Sequence, residues 1–291
     1  MMKQIESIAP LRETIAVWRR AGEKIAFVPT MGNLHEGHLA LVKKAQVQAQ
    51  RVVVSVFVNP MQFSAGEDFD KYPRTLEQDS EALQEIGVDL LFVPTAAEIY
   101  NQDLAYTTRV EVPLLSDILC GASRPGHFVG VTTIVAKLFN IVQPDIAVFG
   151  KKDYQQLFLI RRMVRDLAIP IEILGVETAR EESGLAVSSR NGYLSTSEKE
   201  QAAQLYQVMC QMAEQIQIGN ADFKRLQDEA ITELKQHGFE PDYVEIRHCE
   251  DLSVAQAADS NLVILLAAKL GTTRLIDNLE VMIPSFQMGS R

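Results

Sequence analysis

Two of the chain's five histidines stand three residues apart in the string Phe27-Val-Pro-Thr-Met-Gly-Asn-Leu-His-Glu-Gly-His-Leu39. The apolar run 25–28 reads as a short buried strand, ended by Pro29, which has no N–H for a sheet ladder. Residues 30–33 turn the chain, with Gly32 and Asn33 tolerating positive φ. A helical repeat begins at about His35, so His35 and His38 share one side of its first turn. The N–H groups and dipole of a helix start suit phosphate, and two imidazoles there can add donors. Gly32 and Gly37 clear space for a nucleotide. The plainer reading is two surface histidines at a helix start. A zinc reading fits less well, because the zincin pattern needs histidines four apart and no third ligand is near.

Three further segments carry polar groups that can do chemistry. Asn59 and Gln62 follow an apolar run, and a Gln amide offers both donor and acceptor to a hydroxyl or a carboxylate. Gly150-Lys-Lys-Asp153 ends another run and opens a helix with Gln156 on its first turn. Gly150 permits close approach, Lys152 can place a point charge on phosphate, and Asp153 can cap the helix or accept from ribose. Ser188-Ser189-Arg190 lies in a polar link and can close over a triphosphate. Arg124 and His127 flank Pro125-Gly126 at another helix start. Each segment alone reads as an ordinary turn or capped helix.

Together and in order, the segments resemble a family. His35-Glu-Gly-His38 after a strand and turn is similar to the HxGH motif of class I nucleotidyltransferases. The wider string, with Asn59-Pro-Met-Gln62, Gly150-Lys-Lys-Asp153-Tyr-Gln-Gln156 and Ser188-Ser-Arg190-Asn191, resembles the pantoate–β-alanine ligase family over residues 27–191. Gly271-Thr-Thr-Arg-Leu-Ile-Asp-Asn278 is similar to that family's closing segment. The resemblance implies ATP-dependent joining of pantoate to β-alanine through a pantoyl adenylate, with release of pyrophosphate and AMP. It implies catalytic roles for His35, His38, Lys152, Ser188, Ser189 and Arg190. It puts ATP on Met31, Gly32, His35, His38, Gly150, Lys152, Asp153, Ala179, Val187 and Ser188–Arg190. Pantoate and β-alanine fall to Gln62, Gln156, Asn59 and Arg124. Mg2+ is expected with the ATP phosphates, not on a protein metal motif. Ala179 and Val187 are apolar departures from the residues common in the family. The alternative is another HxGH-type enzyme that transfers adenylyl or nucleotidyl groups to a small molecule.

The elements that must position these groups alternate between strand and helix. Helices are expected over 5–21, 35–50, 75–86, 129–142 and 154–167, and strands over 25–28, 52–58, 88–93, 146–149 and 171–176. That alternation indicates an α/β, Rossmann-like parallel sheet with its ligand crevice at the strands' carboxyl ends. Residues 1–177 form this nucleotide- and pantoate-binding domain. Residues 178–291 form a smaller C-terminal α+β domain covering the active site, with helices over 196–217 and 221–236 and strands over 243–247, 262–268 and 273–276. Residues 285–291 read as a loose end.

Composition narrows the partners. Hydrophobic residues make up 47% and charged residues 23% of the 291, enough apolar material for a core. A formal net charge of −10 and a pI of about 5.1 argue against nucleic acid or an anionic membrane as partner. The first six residues carry no secretory signal, and the longest apolar run, 262–268, cannot span a bilayer. Three scattered cysteines fit a reduced cytoplasm better than a disulfide framework. A cytoplasmic location is the expectation, and the resemblance implies a homodimer acting on small molecules.

Overall fold

The computed structural model describes residues 2–64, 66–100 and 104–283; the loose end expected at 285–291 lies outside them. Two units divide the chain, Met1–Thr178 and Ala179–Arg291. The first contains β1 (Lys3–Ile5), α1 (Ile8–Arg20), β2 (Ile25–Thr30), α2 (Glu36–Gln48), β3 (Arg51–Val56) and α3 (Leu76–Glu85). It continues through β4 (Leu90–Phe92), α4 (Ala96–Ile99), α5 (Cys120–Ser123), α6 (His127–Val142), β5 (Ile146–Gly150), α7 (Tyr154–Asp166) and β6 (Glu172–Val176). The strands form one parallel sheet in the order β1-β4-β3-β2-β5-β6. This is the α/β, Rossmann-like architecture that the alternation predicts.

Burial explains why the central strands are so apolar. Ile25 to Val28, Val52 to Val54 and Ile146 to Phe149 are buried, as expected for parallel strands covered on both faces. The order reverses around β2, which lies between β3 and β5. The loops after β2 and β5 therefore flank the switch point, where open α/β sheets take their ligands.

Three expectations need correction. Pro29 does not end β2: the strand runs to Thr30, and Pro29 pairs in register with Ser55. On the β5 side the Ile25 carbonyl accepts from the Asp145 N–H and the Ile25 N–H donates to the Asp145 carboxylate, whereas on the β3 side the Thr30 carbonyl accepts from the Phe57 N–H. Alternation turns the Pro29 nitrogen toward β5, where pairing ends after Phe27, so no ladder bond is lost. Residue 5 belongs to β1 and α1 starts only at Ile8; three residues are too few to show an alternation. The long helix over 196–217 is two helices.

In the second unit α8 (Thr196–Ala202) starts with a Ser195–Glu198 capping box. α9 (Gln204–Gln217) follows, and the break is a local tightening in which the Tyr206 N–H reaches back three residues to the Ala203 carbonyl. α10 (Phe223–Gln236) precedes the antiparallel sheet β7 (Glu240–His248), β8 (Asn261–Leu270) and β9 (Thr273–Met282), with β8 central. Leu262 to Ala268 are all buried in that strand. Met209, Ile216, Leu234 and Ile246 share the same core.

Candidate active site

The turn after β2 is shaped by its own fold before any ligand is considered. Gly32 and Asn33 adopt φ of 82° and 52°, the left-handed values that Gly and Asn tolerate. A Cβ on Gly32 would meet Val56 Cγ1 at 2.9 Å and Asp79 Oδ2 at 3.0 Å. Room for the turn itself thus already requires this glycine. Asp79, 2% exposed, accepts from the main-chain N–H of Asn33 (2.9 Å) and of Leu34 (2.8 Å). A carboxylate on α3 therefore sets the entry into α2.

His35 caps α2 in an extended conformation. Its ring lies 4.0 Å from that of His38, tilted by 41°. His38 Nδ1 accepts a long bond, 3.4 Å, from the His35 main-chain N–H. An Nδ1 facing a donor holds a lone pair, which leaves the ring proton on Nε2. His35 Nδ1 is buried with no hydrogen-bond partner among the described residues.

Burial pushes the His35 pKa down to about 4, with Lys152 adding to the shift and Asp153 opposing it. Burial pushes His38 down to about 3, with His35 next in weight, Asp153 opposing and Lys152 adding. Both rings are therefore neutral at pH 7, and each has one N–H to donate, not two. The influence of Lys152 and Asp153 also shows that the turn after β5 adjoins the histidines. Gly150 ends β5, and residues 151–153 form a 3-10 turn leading into α7. Asp153 occupies the N-cap of α7, but its carboxylate makes no capping bond.

Beyond β3, Asn59 and Gln62 bracket a 3-10 turn. Both are buried and tightly bonded. Asn59 Nδ2 donates to Gln62 Oε1 (3.1 Å) and to the Gly130 carbonyl (3.2 Å), while Asn59 Oδ1 accepts from the Tyr100 hydroxyl (2.7 Å). Gln62 Nε2 donates to Met31 Sδ at 3.1 Å. Met31 thereby joins the histidine turn to the glutamine turn.

Gln155 and Gln156 differ sharply. The buried Gln155 amide binds the Cys120 N–H and the carbonyls of Leu115 and Ile118, a structural duty. Gln156, on the first turn of α7, is half-buried. Arg124 points into the protein's own network: Nε and Nη2 form a bidentate pair with Glu67 at 2.7 and 2.6 Å.

In the second unit, Ala179 and Val187 are partners: the Val187 N–H donates to the Ala179 carbonyl at 2.9 Å. Between them Arg180 makes a bidentate pair with the buried Asp277 at 2.6 and 2.9 Å. Its guanidinium lies 3.8 Å from the Tyr206 ring centre. Ser188 Oγ accepts from the Arg190 N–H (3.3 Å), opening a 3-10 turn over Ser189–Tyr193. Asn191 Nδ2 ties that turn to the Ala186 carbonyl.

A family model described as Pantoate-beta-alanine ligase matches residues 3–280. The chain belongs to the pantoate–β-alanine ligase family. It is 58% identical over 273 residues to the pantothenate synthetase of Shewanella halifaxensis, covering 94% of this chain and 96% of that one. The Shewanella loihica pantothenate synthetase is 58% identical over 279 residues, 96% and 99% of the two chains. Among solved structures, a Thermus thermophilus pantothenate synthetase superposes with a TM-score of 0.89 at 46% identity, over 97% of this chain and 100% of that one. A Francisella tularensis pantoate–β-alanine ligase, complexed with β-γ ATP and β-alanine, gives 0.79 at 35% identity, over 96% and 97%.

Against this family frame, the sequence motifs contain the histidines, glutamines and lysine but omit Asp79, Tyr100 and Arg180. A lone Asp in a helix or a Tyr after one has no local signal; only the fold brings them under the motif residues. Among the described residues no group of three or more His, Cys, Asp and Glu is placed to hold a metal. No helix among them is long and apolar enough to cross a membrane.

Proposed function

We propose that this ligase activates pantoate at the α-phosphorus of ATP, forming pantoyl adenylate and pyrophosphate, and that β-alanine then displaces AMP to give pantothenate. The observation that carries the reading is the pair of neutral imidazoles beside Lys152 at the switch point of the sheet. Pantoate is already a carboxylate at pH 7, so its attack needs no base. It needs charge neutralised as the β- and γ-phosphates depart, and positioned donors supply that. His38 Nε2–H and His35 are such donors, and Lys152 adds a full charge. Magnesium enters with ATP as part of the substrate.

Gln62 and Gln156 read the hydroxyl and carboxylate of pantoate, with Asn59 holding Gln62 and Met31 lying against it. Gly32, Gly150 and Asp153 border the nucleotide. Ala179, Val187, Ser188, Ser189 and Arg190 receive ATP roles from the sequence resemblance. The cytoplasmic location rests on the three scattered cysteines of the sequence, and the homodimer rests on resemblance. Incubation with ATP, pantoate and β-alanine should give AMP and pantothenate in equal amounts. Nucleotide retained in the product instead would favour another HxGH-type transferase.

A further inference from the structure

The first turn of α6 has a second role that its sequence alone leaves open. His127 is buried, and its Nδ1 lies 2.7 Å from the main-chain carbonyl oxygen of Gln62. A carbonyl only accepts, so Nδ1 carries the proton and Nε2 the lone pair. Nε2 lies 3.1 Å from Arg124 Nη1, which only donates. The two contacts demand the same tautomer. Arg124 is held in turn by its bidentate pair with Glu67, and Nη2 also reaches the Gln62 carbonyl at 3.4 Å. Burial would lift the Glu67 carboxyl, but the Arg124 bonds and charge outweigh it and hold Glu67 below the usual range. Arg124 thus donates at one end to Glu67 and at the other to His127, and His127 donates to Gln62.

Packing fixes the same segment from a second direction. A Cβ on Gly130 would lie 2.2 Å from the Met61 carbonyl oxygen and 2.7 Å from the Gln62 nitrogen. Asn59 Nδ2 bonds the Gly130 carbonyl. Residues 127 and 130 share one helix face, so the start of α6 is the surface on which the 60–62 turn is moulded. A glutamine amide is separated from its main chain by three torsions. Its aim depends on where that main chain is held, and a displacement of about 1 Å at a reacting centre costs roughly 10²-fold in rate.

We propose that His127, oriented by Arg124 and Glu67, is a positioning residue that fixes the Gln62 main chain and so aims the Gln62 amide at pantoate. This rests on Gln62 reading pantoate. It gives Arg124 an indirect role through Gln62.

The test compares His127→Asn with His127→Leu. An Asn Nδ2 can donate from the place of the imidazole Nδ1; Leu cannot donate. His127→Leu should raise the KM for pantoate roughly 10-fold to 100-fold with the KM for ATP unmoved, and His127→Asn should recover most of that loss. Equal loss in both variants, or a matching rise in the KM for ATP, would overturn the proposal. A nitrogen-15 spectrum of the wild-type protein tests it without mutation: His127 should be protonated on Nδ1, and protonation on Nε2 alone would contradict it. If Gln62→Glu leaves pantoate binding intact, the reading of Gln62 fails instead. If Gln62→Glu weakens pantoate binding while His127→Leu does not, only the role of His127 is lost.

Discussion

Two turns leave the neighbouring strands β2 and β3, and they treat their polar groups in opposite ways. After β3, the amides of Asn59 and Gln62 are already bonded to each other and to Tyr100, Met61, Gly130 and Met31. After β2, the main chain is fixed by Asp79, yet the imidazoles are under-used, with His35 Nδ1 buried and unpartnered among the described residues. The difference fits the two tasks proposed for these turns. A group that fixes a substrate gains from being held in advance, whereas a group that meets developing charge must keep its hydrogen-bonding capacity for the transition state.

The largest expected effect breaks the bonded turn. Gln62→Glu keeps the volume and adds an anion beside an anionic substrate. Two unit charges 4 Å apart at an effective dielectric of ~20 repel by about 4 kcal/mol. Pantoate binding, measured by titration, should collapse while ATP binding changes little; equal loss of both would remove Gln62 from the pantoate site. Next, His38→Ala should lower turnover by roughly 10²–10³-fold, the scale for one preorganised donor, with an unchanged melting curve. A folded variant with wild-type turnover would leave the under-used imidazoles without a catalytic task.

A smaller effect should come from Gly130→Ala. Overpacking against Met61 and Gln62 costs about 1–3 kcal/mol, seen as a lower unfolding midpoint together with weaker pantoate binding. An unshifted midpoint would show that α6 does not mould the turn.

The smallest effect concerns pH. His35 and His38 have folded pKa values of about 4 and 3 against an ordinary 6.5. The unfolded chain then binds more protons below about pH 6.5, so stability is full above that value and is lost as pH falls toward 3. Urea midpoints should drop across this window, and the drop should shrink in a His35→Gln, His38→Gln double variant. An identical slope in that variant would mean the histidines are not held neutral by the fold.

The comparison also explains what the sequence reveals. The parallel sheet is legible because Val52-Val-Val and Ile146-Ala-Val are long enough to register as buried strands, and the site is legible where its residues are close in sequence, as His35 and His38 are. Pro29 misleads because its missing N–H matters only if a neighbour would have used it, and the end of β5 pairing is invisible locally. Gly32 is readable as a turn residue, but its crowding by Val56 and Asp79 is not. Gln155 and Gln156 look alike in sequence; helix phase sends one into Leu115 and Ile118 and leaves the other half-exposed. Asp79, Tyr100 and His127 act across 40 residues or more, so only folding shows them.

Attack by pantoate at the α-phosphorus, helped by donors on the departing phosphates, is the centre of the account. Pantoate labelled with oxygen-18 in its carboxylate tests it directly. The carboxylate oxygen that joins phosphorus stays there when β-alanine attacks the acyl carbon. One label should therefore appear in AMP and none in pyrophosphate. Formation of ADP with labelled inorganic phosphate, or of unlabelled AMP, would contradict it.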